Sequence, residues 1–340
     1  MRPPSRRILF LLAPLLLAGL LLPGERAVSL AQQSPAPQAP QARPPQKPDD
    51  AYRIRRDVNL VVLHATVVDE RGRFVPDLRQ DNFRVYEDRV EQKVAVFRRE
   101  DIPVSVGLVV DNSASMREKR ERVNAAALAF VEASNREDEV FVVNFNDDYY
   151  LDLDKDFTND LNELKEALER IDSRGLTALF DAVVGSLDHL KKGSRDKKVL
   201  VVITDGDDNA SRIGHGNKRH ALELTVLEAQ KSDALIYTVG LFGTEKGGDA
   251  RRAREALVRL ATASGGQYFF PESVQSVGEV CAQIAHDIRN QYTLAYYPTN
   301  MKKDGTFRAV QVDVSPPRGR GKLSVRTRTG YFAQRESAGN

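Results

Sequence analysis

The chain has 340 residues, 41% hydrophobic and 29% charged, the composition of an ordinary soluble globular protein with room for one large or two modest domains. Net charge is +2, but Arg2, Arg6, Arg7 and Arg26 against Glu25 put +3 in the first 31 residues, so the rest sums to −1. A near-neutral body gives no electrostatic reason for a nucleic-acid partner, and a single cysteine, Cys281, excludes an intrachain disulfide.

Residues 1–31 read as a secretory signal. Arg6 and Arg7 precede an apolar run from Ile8 to Leu22, and Ser29-Leu30-Ala31 offers small residues for cleavage before Gln32. The run is shorter than the roughly 20 residues a spanning helix needs; an uncleaved anchor is the alternative. No second long apolar segment follows, so no membrane-spanning body is expected and the chain is assigned to a secreted, periplasmic or cell-envelope location. Residues 32–53 are a proline-rich tether, whose composition favours an extended, unpacked chain.

From 54 to 101 the pattern is β. Val58 to Val68 is rich in β-branched residues, Asp69-Glu-Arg-Gly72 signals a turn, and Phe83–Tyr86 and Val94–Phe97 are short strands about a charged turn. Residues 102–292 then alternate strand and helix. The strands are expected at 104–110, 140–145, 199–204, 234–241 and 267–270, and the helices at 117–136, 159–171, 178–190, 220–231, 250–264 and 274–290. Val199-Leu-Val-Val-Ile203 is a continuous apolar run, the pattern of a strand buried on both faces. Such alternation predicts a doubly wound α/β fold with a mostly parallel sheet, which binds ligands at the carboxyl ends of its strands. Residues 293–334 return to β, with alternation in Val310–Val314 and Leu323–Thr329. Neither β segment is long enough to bury a sheet face alone. The N-terminal and C-terminal strands are therefore expected to pair into a flanking β-sandwich with the α/β part inserted, leaving 335–340 as a tail.

Within this frame, three strand ends carry oxygen-bearing side chains. Val104–Val110 runs directly into Asp111-Asn-Ser-Ala-Ser-Met116, so Asp111, Ser113 and Ser115 can aim one carboxylate and two hydroxyls at one point. Asp205 follows the 199–204 strand, with Gly206 permitting a tight turn. Thr177 stands just before the helix at 178. Taken singly, each has an ordinary explanation as a turn former or helix cap. Together they offer two carboxylates and three neutral oxygens, a donor set for a hard divalent cation such as Mg²⁺.

In order and in strand context, Asp111, Ser113, Ser115, Thr177 and Asp205 resemble the metal-ion-dependent adhesion site of von Willebrand factor type A (VWA) domains, whose fold is Rossmann-like. The resemblance covers 102–292. The whole chain, with its signal, its tether, Asp81–Asp88 and the segments Tyr292–Pro298 and Thr329–Phe332, resembles the bacterial VWFA-related domain proteins. The resemblance implies that Asp111, Ser113 and Ser115 are direct ligands, Thr177 a direct or water-mediated one and Asp205 a water-mediated one. The cation would be Mg²⁺, with Mn²⁺ or Ca²⁺ as alternatives, and an Asp or Glu of a protein partner would complete its coordination. The expected function is metal-dependent protein binding or adhesion, not catalysis. The five histidines are scattered, and neither a Gly-x-Ser-x-Gly elbow nor a phosphate-binding loop is present. A metal-assisted hydrolase and a scaffold with a purely structural metal remain the other readings.

Several polar residues near these loops are given ordinary roles. Asp207, Asp208 and Asn209 read as a solvated loop, with an acidic rim to the site as the alternative, Asp147 to Tyr150 as an exposed turn, His215 as a surface residue, and Lys191-Lys192, Lys197-Lys198 and Arg251-Arg252 as solvated faces. Asp181, one turn after Thr177, is equally placed to bond within the site or outside it. Cys281 shares a helical stripe with Val277, Ile284 and Ile288 and reads as a small buried hydrophobe.

Overall fold

A computed structural model describes residues 60–335 apart from 100, 171 and 244–246; the expected signal, tether and residues 336–340 of the expected tail lie outside the described residues, while Arg335, expected in the tail, bridges Asp304. The central sheet contains six strands: β5 (Val104–Asp111), β6 (Glu139–Phe145), β7 (Tyr149–Leu151), β8 (Lys197–Thr204), β9 (Leu235–Gly240) and β10 (Tyr268–Phe269). Their order is β10-β9-β8-β5-β6-β7, and all neighbours run parallel except β6 and β7.

The apolar runs explain why these strands sit at the centre. Every residue of β5 and β8 is buried. Alternate side chains enter two separate cores, as the two-residue period of a strand requires. Val106, Leu108, Val201 and Ile203 face α1 (Arg120–Glu132), α2 (Leu161–Glu169) and α6 (Val277–Arg289). Val109, Leu200 and Val202 face α3 (Leu179–Leu190), α4 (Lys218–Lys231) and α5 (Gly248–Ser264). The fold is thus doubly wound. Its strand order reverses at β5, which has β6 on one side and β8 on the other, so the crevice for a ligand lies beyond the carboxyl ends of β5 and β8.

Two antiparallel sheets flank this body. The first takes the order β13-β1-β11-β4, from β13 (Leu323–Arg326), β1 (Val61–Asp69), β11 (Tyr292–Tyr296) and β4 (Val94–Arg98). The second takes the order β14-β12-β2-β3, from β14 (Gly330–Phe332), β12 (Phe307–Val314), β2 (Phe83–Glu87) and β3 (Val90–Gln92). Each sheet mixes strands from both ends of the chain, and Leu63, Ala65, Val85, Leu294, Val310 and Val312 meet in one core between them. Tyr292 anchors that core: its ring lies 5.1 Å from that of Phe83 and 5.7 Å from that of Phe97. Its hydroxyl donates to the Val75 carbonyl at 2.6 Å and accepts from Leu78 N at 3.0 Å.

Four local expectations need correction. The helix expected at 117–136 is α1, over 120–132 only. Residues 114–116 form a 3₁₀ turn, closed by Met116 N bonding to Ser113 O, and Asn135 and Asp138 end the segment with side-chain bonds to backbone amides. Tyr149 and Tyr150, expected in an exposed turn, belong with Leu151 to the edge strand β7 (Tyr149–Leu151), with Tyr149 packed over Gly185. Lys197 and Lys198 are buried rather than on a solvated face: each ammonium bonds a backbone carbonyl, of Ile288 and Gly193 respectively. The loop at 207–209 is described with the site below. Cys281 is buried in the α1–α2–α6 core with Val277, Ile284 and Ile288, and burial pushes its thiol up to about 12. Among the described residues no helix is long and apolar enough to cross a membrane.

Candidate metal site

The five expected residues gather at the carboxyl ends of β5 and β8. Asp111 is the last residue of β5 and has no exposed surface. Its Oδ1 accepts from Ser113 N at 2.8 Å, a turn that reverses the chain and sends both serines back over the strand end. Its Oδ2 accepts from Thr204 Oγ1, the last residue of β8, at 2.5 Å. Ser113 Oγ lies 3.1 Å from Ser115 Oγ, and Ser115 Oγ donates to Asp205 Oδ1 at 2.7 Å. Ser113 and Asp205 are buried while Ser115 is exposed, so the cluster has a dry floor and a wet lip.

Thr177 reaches the cluster from a third loop. A Cβ placed on Gly206 would lie 3.3 Å from Thr177 Oγ1, which puts that hydroxyl directly over the turn that follows Asp205. Backbone bonds lace the three loops together. Ala114 N donates to Gly175 O at 3.2 Å, Arg174 N to Asn112 O at 2.9 Å, and Asn209 N to Thr177 O at 3.0 Å. Gly175 has φ +73°, a conformation that favours glycine, and its neighbour Leu176 donates its amide to Asp147 Oδ1 at 3.0 Å.

Burial raises the Asp111 carboxyl to about 6, and the nearby Asp205 charge pushes the same way; bonds from Thr204 and Ser113 oppose the rise. Two charged groups support the cluster that the sequence reading did not single out. Lys119 Nζ, 29% exposed on its side chain, pairs with Asp205 Oδ2, whose own side chain is 1% exposed. Arg120 is buried behind β5, donating to Asp111 O at 3.2 Å, Asn144 Oδ1 at 2.9 Å and Leu168 O at 2.7 Å. Burial draws its guanidinium down to about 10. Thr204 was also missed. Its signal was available, since it precedes Asp205 at a strand end; those of Lys119 and Arg120 were hidden by the misplaced helix start.

The segment 207–209 is only partly a solvated loop: Asn209 is exposed and Asp207 half-buried. Asp208 is buried and its Oδ2 accepts from Phe180 N at 3.1 Å, which satisfies an amide in the first turn of α3. Asn209 Oδ1 accepts from Thr177 N at 2.7 Å, and Asp207 pairs with Lys218 at 2.9 Å and Arg252 at 3.0 Å. Asp181 turns away from the cluster, accepting from Arg212 N at 2.7 Å and Ile213 N at 3.0 Å. His215 is exposed in its loop, at φ +51°.

Among the described residues no three His, Cys, Asp or Glu side chains gather into a metal-holding group. A cation here would therefore rely on the mixed carboxylate and hydroxyl set. That set fits a hard divalent ion: every donor is oxygen, and two carboxylates balance its charge.

Residues 106–207 match the family model described as the von Willebrand factor type A domain. The uncharacterized protein sll0103 of Synechocystis sp. is 24% identical over 192 residues, 54% of this chain. The chain spans 44% of the length of that relative. A von Willebrand factor type A structure from Catenulispora acidiphila is 13% identical with a TM-score of 0.48, covering 73% of each chain. The PilB minor pilin from Streptococcus sanguinis is 14% identical with a TM-score of 0.46, covering 56% of this chain and 62% of its own.

Proposed function

We propose, on the premise that the chain carries a von Willebrand factor type A domain, that it is an exported protein of the cell envelope. In this reading it captures a protein partner through a divalent cation held by Asp111, Ser113, Ser115, Thr177 and Asp205. The observation that carries the reading is the hydroxyl–hydroxyl–carboxylate chain from Ser113 through Ser115 to Asp205, set over the buried Asp111 at the switch point of the sheet.

Mg²⁺ is the preferred ion, with Mn²⁺ or Ca²⁺ as alternatives. When bound, it supplies a positive charge that an acidic side chain can ligate. The protein's own residues prepare for this. Asp111 and Asp205 provide compensating charge at the floor, and the Ser113, Ser115 and Thr177 hydroxyls add oxygen without adding charge. The exposed Ser115 marks the open side, where an Asp or Glu of the partner would enter.

Binding is favoured over catalysis by the same geometry. The nearest basic side chain to the cluster, Lys119, is committed to Asp205, which leaves it poorly placed to act as a general base. The test is calorimetric titration of Mg²⁺ and Mn²⁺ into the wild type and Asp111→Ala, with capture of envelope proteins measured with and without chelator. Loss of metal binding and of capture together is expected. Capture that survives Asp111→Ala and chelator overturns the reading, and metal-dependent turnover of ester or phosphate substrates that needs Asp111 would replace it with the hydrolase.

A further inference from the structure

The candidate metal cluster is backed by a buried polar network that joins β5, β6 and the ends of α1 and α2. At its centre is Arg120, the first residue of α1, which is 8% exposed and turns its guanidinium back to the end of β5. Nη1 donates to Asp111 O at 3.2 Å, and Nη2 donates to Asn144 Oδ1 at 2.9 Å and Leu168 O at 2.7 Å. Asn144, on β6 and without exposed surface, donates onward to Ala167 O at 2.8 Å and Asp152 Oδ2 at 2.7 Å. Asn124, one turn along α1, adds a bond to Leu168 O at 3.2 Å.

These acceptors stand where the ligand-bearing loops begin. Asp111 O lies at the root of the turn holding Ser113 and Ser115, and Arg120 is the residue on which α1 starts after that turn. The side chain therefore clamps 111–120 into a closed loop. Ala167 and Leu168 lie in the last turn of α2. There an α-helix leaves its carbonyls without i+4 donors and concentrates its partial negative charge. The segment that leaves this turn carries Thr177. It is tied to the Asp111 turn again further along, where Arg174 N meets Asn112 O and Ala114 N meets Gly175 O.

The arrangement supplies geometry more than charge. A buried guanidinium is costly to desolvate and adds little net stability even when paired. Its planar fork holds several acceptors in fixed directions, which an ammonium on a flexible stem does not. The fork also meets the backbone oxygen of Asp111 and leaves both carboxylate oxygens to the cluster side, where Ser113 N and Thr204 Oγ1 bond them.

We propose, resting on the metal reading above, that Arg120 is a positioning residue. It fixes the Asp111–Ser115 turn against the root of the Thr177 loop, and so decides whether Thr177 contributes to holding the cation. Arg120 acts through Asp111 O and Leu168 O and supplies no ligand of its own.

The test is a double-mutant cycle on the full chain, with Mg²⁺ affinity read by calorimetry below the melting temperature of every variant. The four proteins are the wild type, Arg120→Lys, Thr177→Val and the pair. Arg120→Lys keeps the charge and loses the fork. It should weaken Mg²⁺ binding about 10–100-fold, the usual cost of removing a group that orients a metal ligand. The fold-loss caused by Thr177→Val should be at least about threefold smaller in the Arg120→Lys background than in the wild type, since residues of one network are not additive. A purely structural Arg120 would lower melting yet leave Mg²⁺ affinity unchanged, or leave the two losses additive; either result overturns the proposal. Absence of Mg²⁺ binding in the wild type overturns the metal reading and the proposal together, whereas binding that Arg120→Lys leaves intact overturns the proposal alone. Should Arg120→Lys fail to fold, Asn124→Leu decides, because it removes only the second donor to Leu168 O from a half-buried position. A loss of at least about threefold in Mg²⁺ affinity is then expected, and unchanged affinity overturns the proposal.

Discussion

Gly175→Ala tests whether the three loops of the candidate metal site behave as one unit. Gly175 sits at φ +73°, and an added methyl would overlap the Asp147 carboxylate. The left-handed conformation costs an alanine about 1–2 kcal/mol. Moving Asp147 sacrifices its 3.0 Å bond from Leu176 N, worth about 1 kcal/mol. The sum, ~2–3 kcal/mol, corresponds to a melting shift of about 5–10 °C for a domain of this size. Gly72→Ala is the internal control: its φ is +74°, but nothing lies within 4 Å of the added methyl, so only the conformational part, about 1–2 kcal/mol, is expected. The assay is thermal melting by circular dichroism in EDTA, repeated over a Mg²⁺ series. Because Gly175 O accepts from Ala114 N and Thr177 is two residues on, the stabilisation by Mg²⁺ should shrink in Gly175→Ala and not in Gly72→Ala. Equal melting of the two variants would refute the Asp147 overlap. A normal Mg²⁺ response in Gly175→Ala would refute the coupling of this loop to the site.

Three further outcomes are expected. Lys119→Met removes a cation in contact with Asp205, so Mg²⁺ affinity by calorimetry should rise about tenfold, ~1.4 kcal/mol, while the metal-free form melts lower; an unchanged or weaker affinity contradicts the placement of Lys119. Lys197 carries a folded-state pKa lowered to about 7 from 10.5, so its burial cost is fully present below pH 7. Between about 7 and 10.5 the folded protein sheds this proton before the unfolded chain does, and stability rises with pH by at most on the order of 5 kcal/mol. Urea midpoints from pH 6 to 10 should therefore climb in the wild type relative to Lys197→Met, and parallel curves for the two would refute it. Deleting 303–340 removes β12, β13 and β14, leaving β1 and β2 with unpaired edges; light scattering should report aggregation, and a soluble, cooperatively melting deletion would count against the sandwich as a single unit.

The sequence made the doubly wound body legible because its strands are continuous apolar runs such as Val199–Ile203, which only a sheet covered on both faces buries. The Asp111, Ser113 and Ser115 spacing and the positions of Thr177 and Asp205 at element ends make the candidate site legible in the chain itself. What stayed hidden depended on partners distant in the chain. Lys197 looks like a surface lysine until Ile288, 91 residues later, brings a helix end to it. Asp208 has the composition of a solvated turn, but it is buried where Phe180 N needs an acceptor, and the exposed Asn209 is held by Thr177 N. The β7 strand reads as a turn because three residues carry little periodicity, and it exists through pairing with Val143–Phe145.

The closure of the sandwich by both ends of the chain also sets an order of assembly. Tyr292 bonds Val75 across 217 residues of sequence, and β1 finds both of its sheet neighbours, β11 and β13, only after the whole α/β body has been made. Contacts of such separation form slowly, because the loop must close before the pairing rewards it. During synthesis the body, built from neighbouring strands and helices, can condense first. The strands that lead the chain must meanwhile wait with open edges for the final segment to arrive. Residues 307–332 thus act as a lock on 61–98, and a chain interrupted before them would carry a finished α/β body on an unfastened frame.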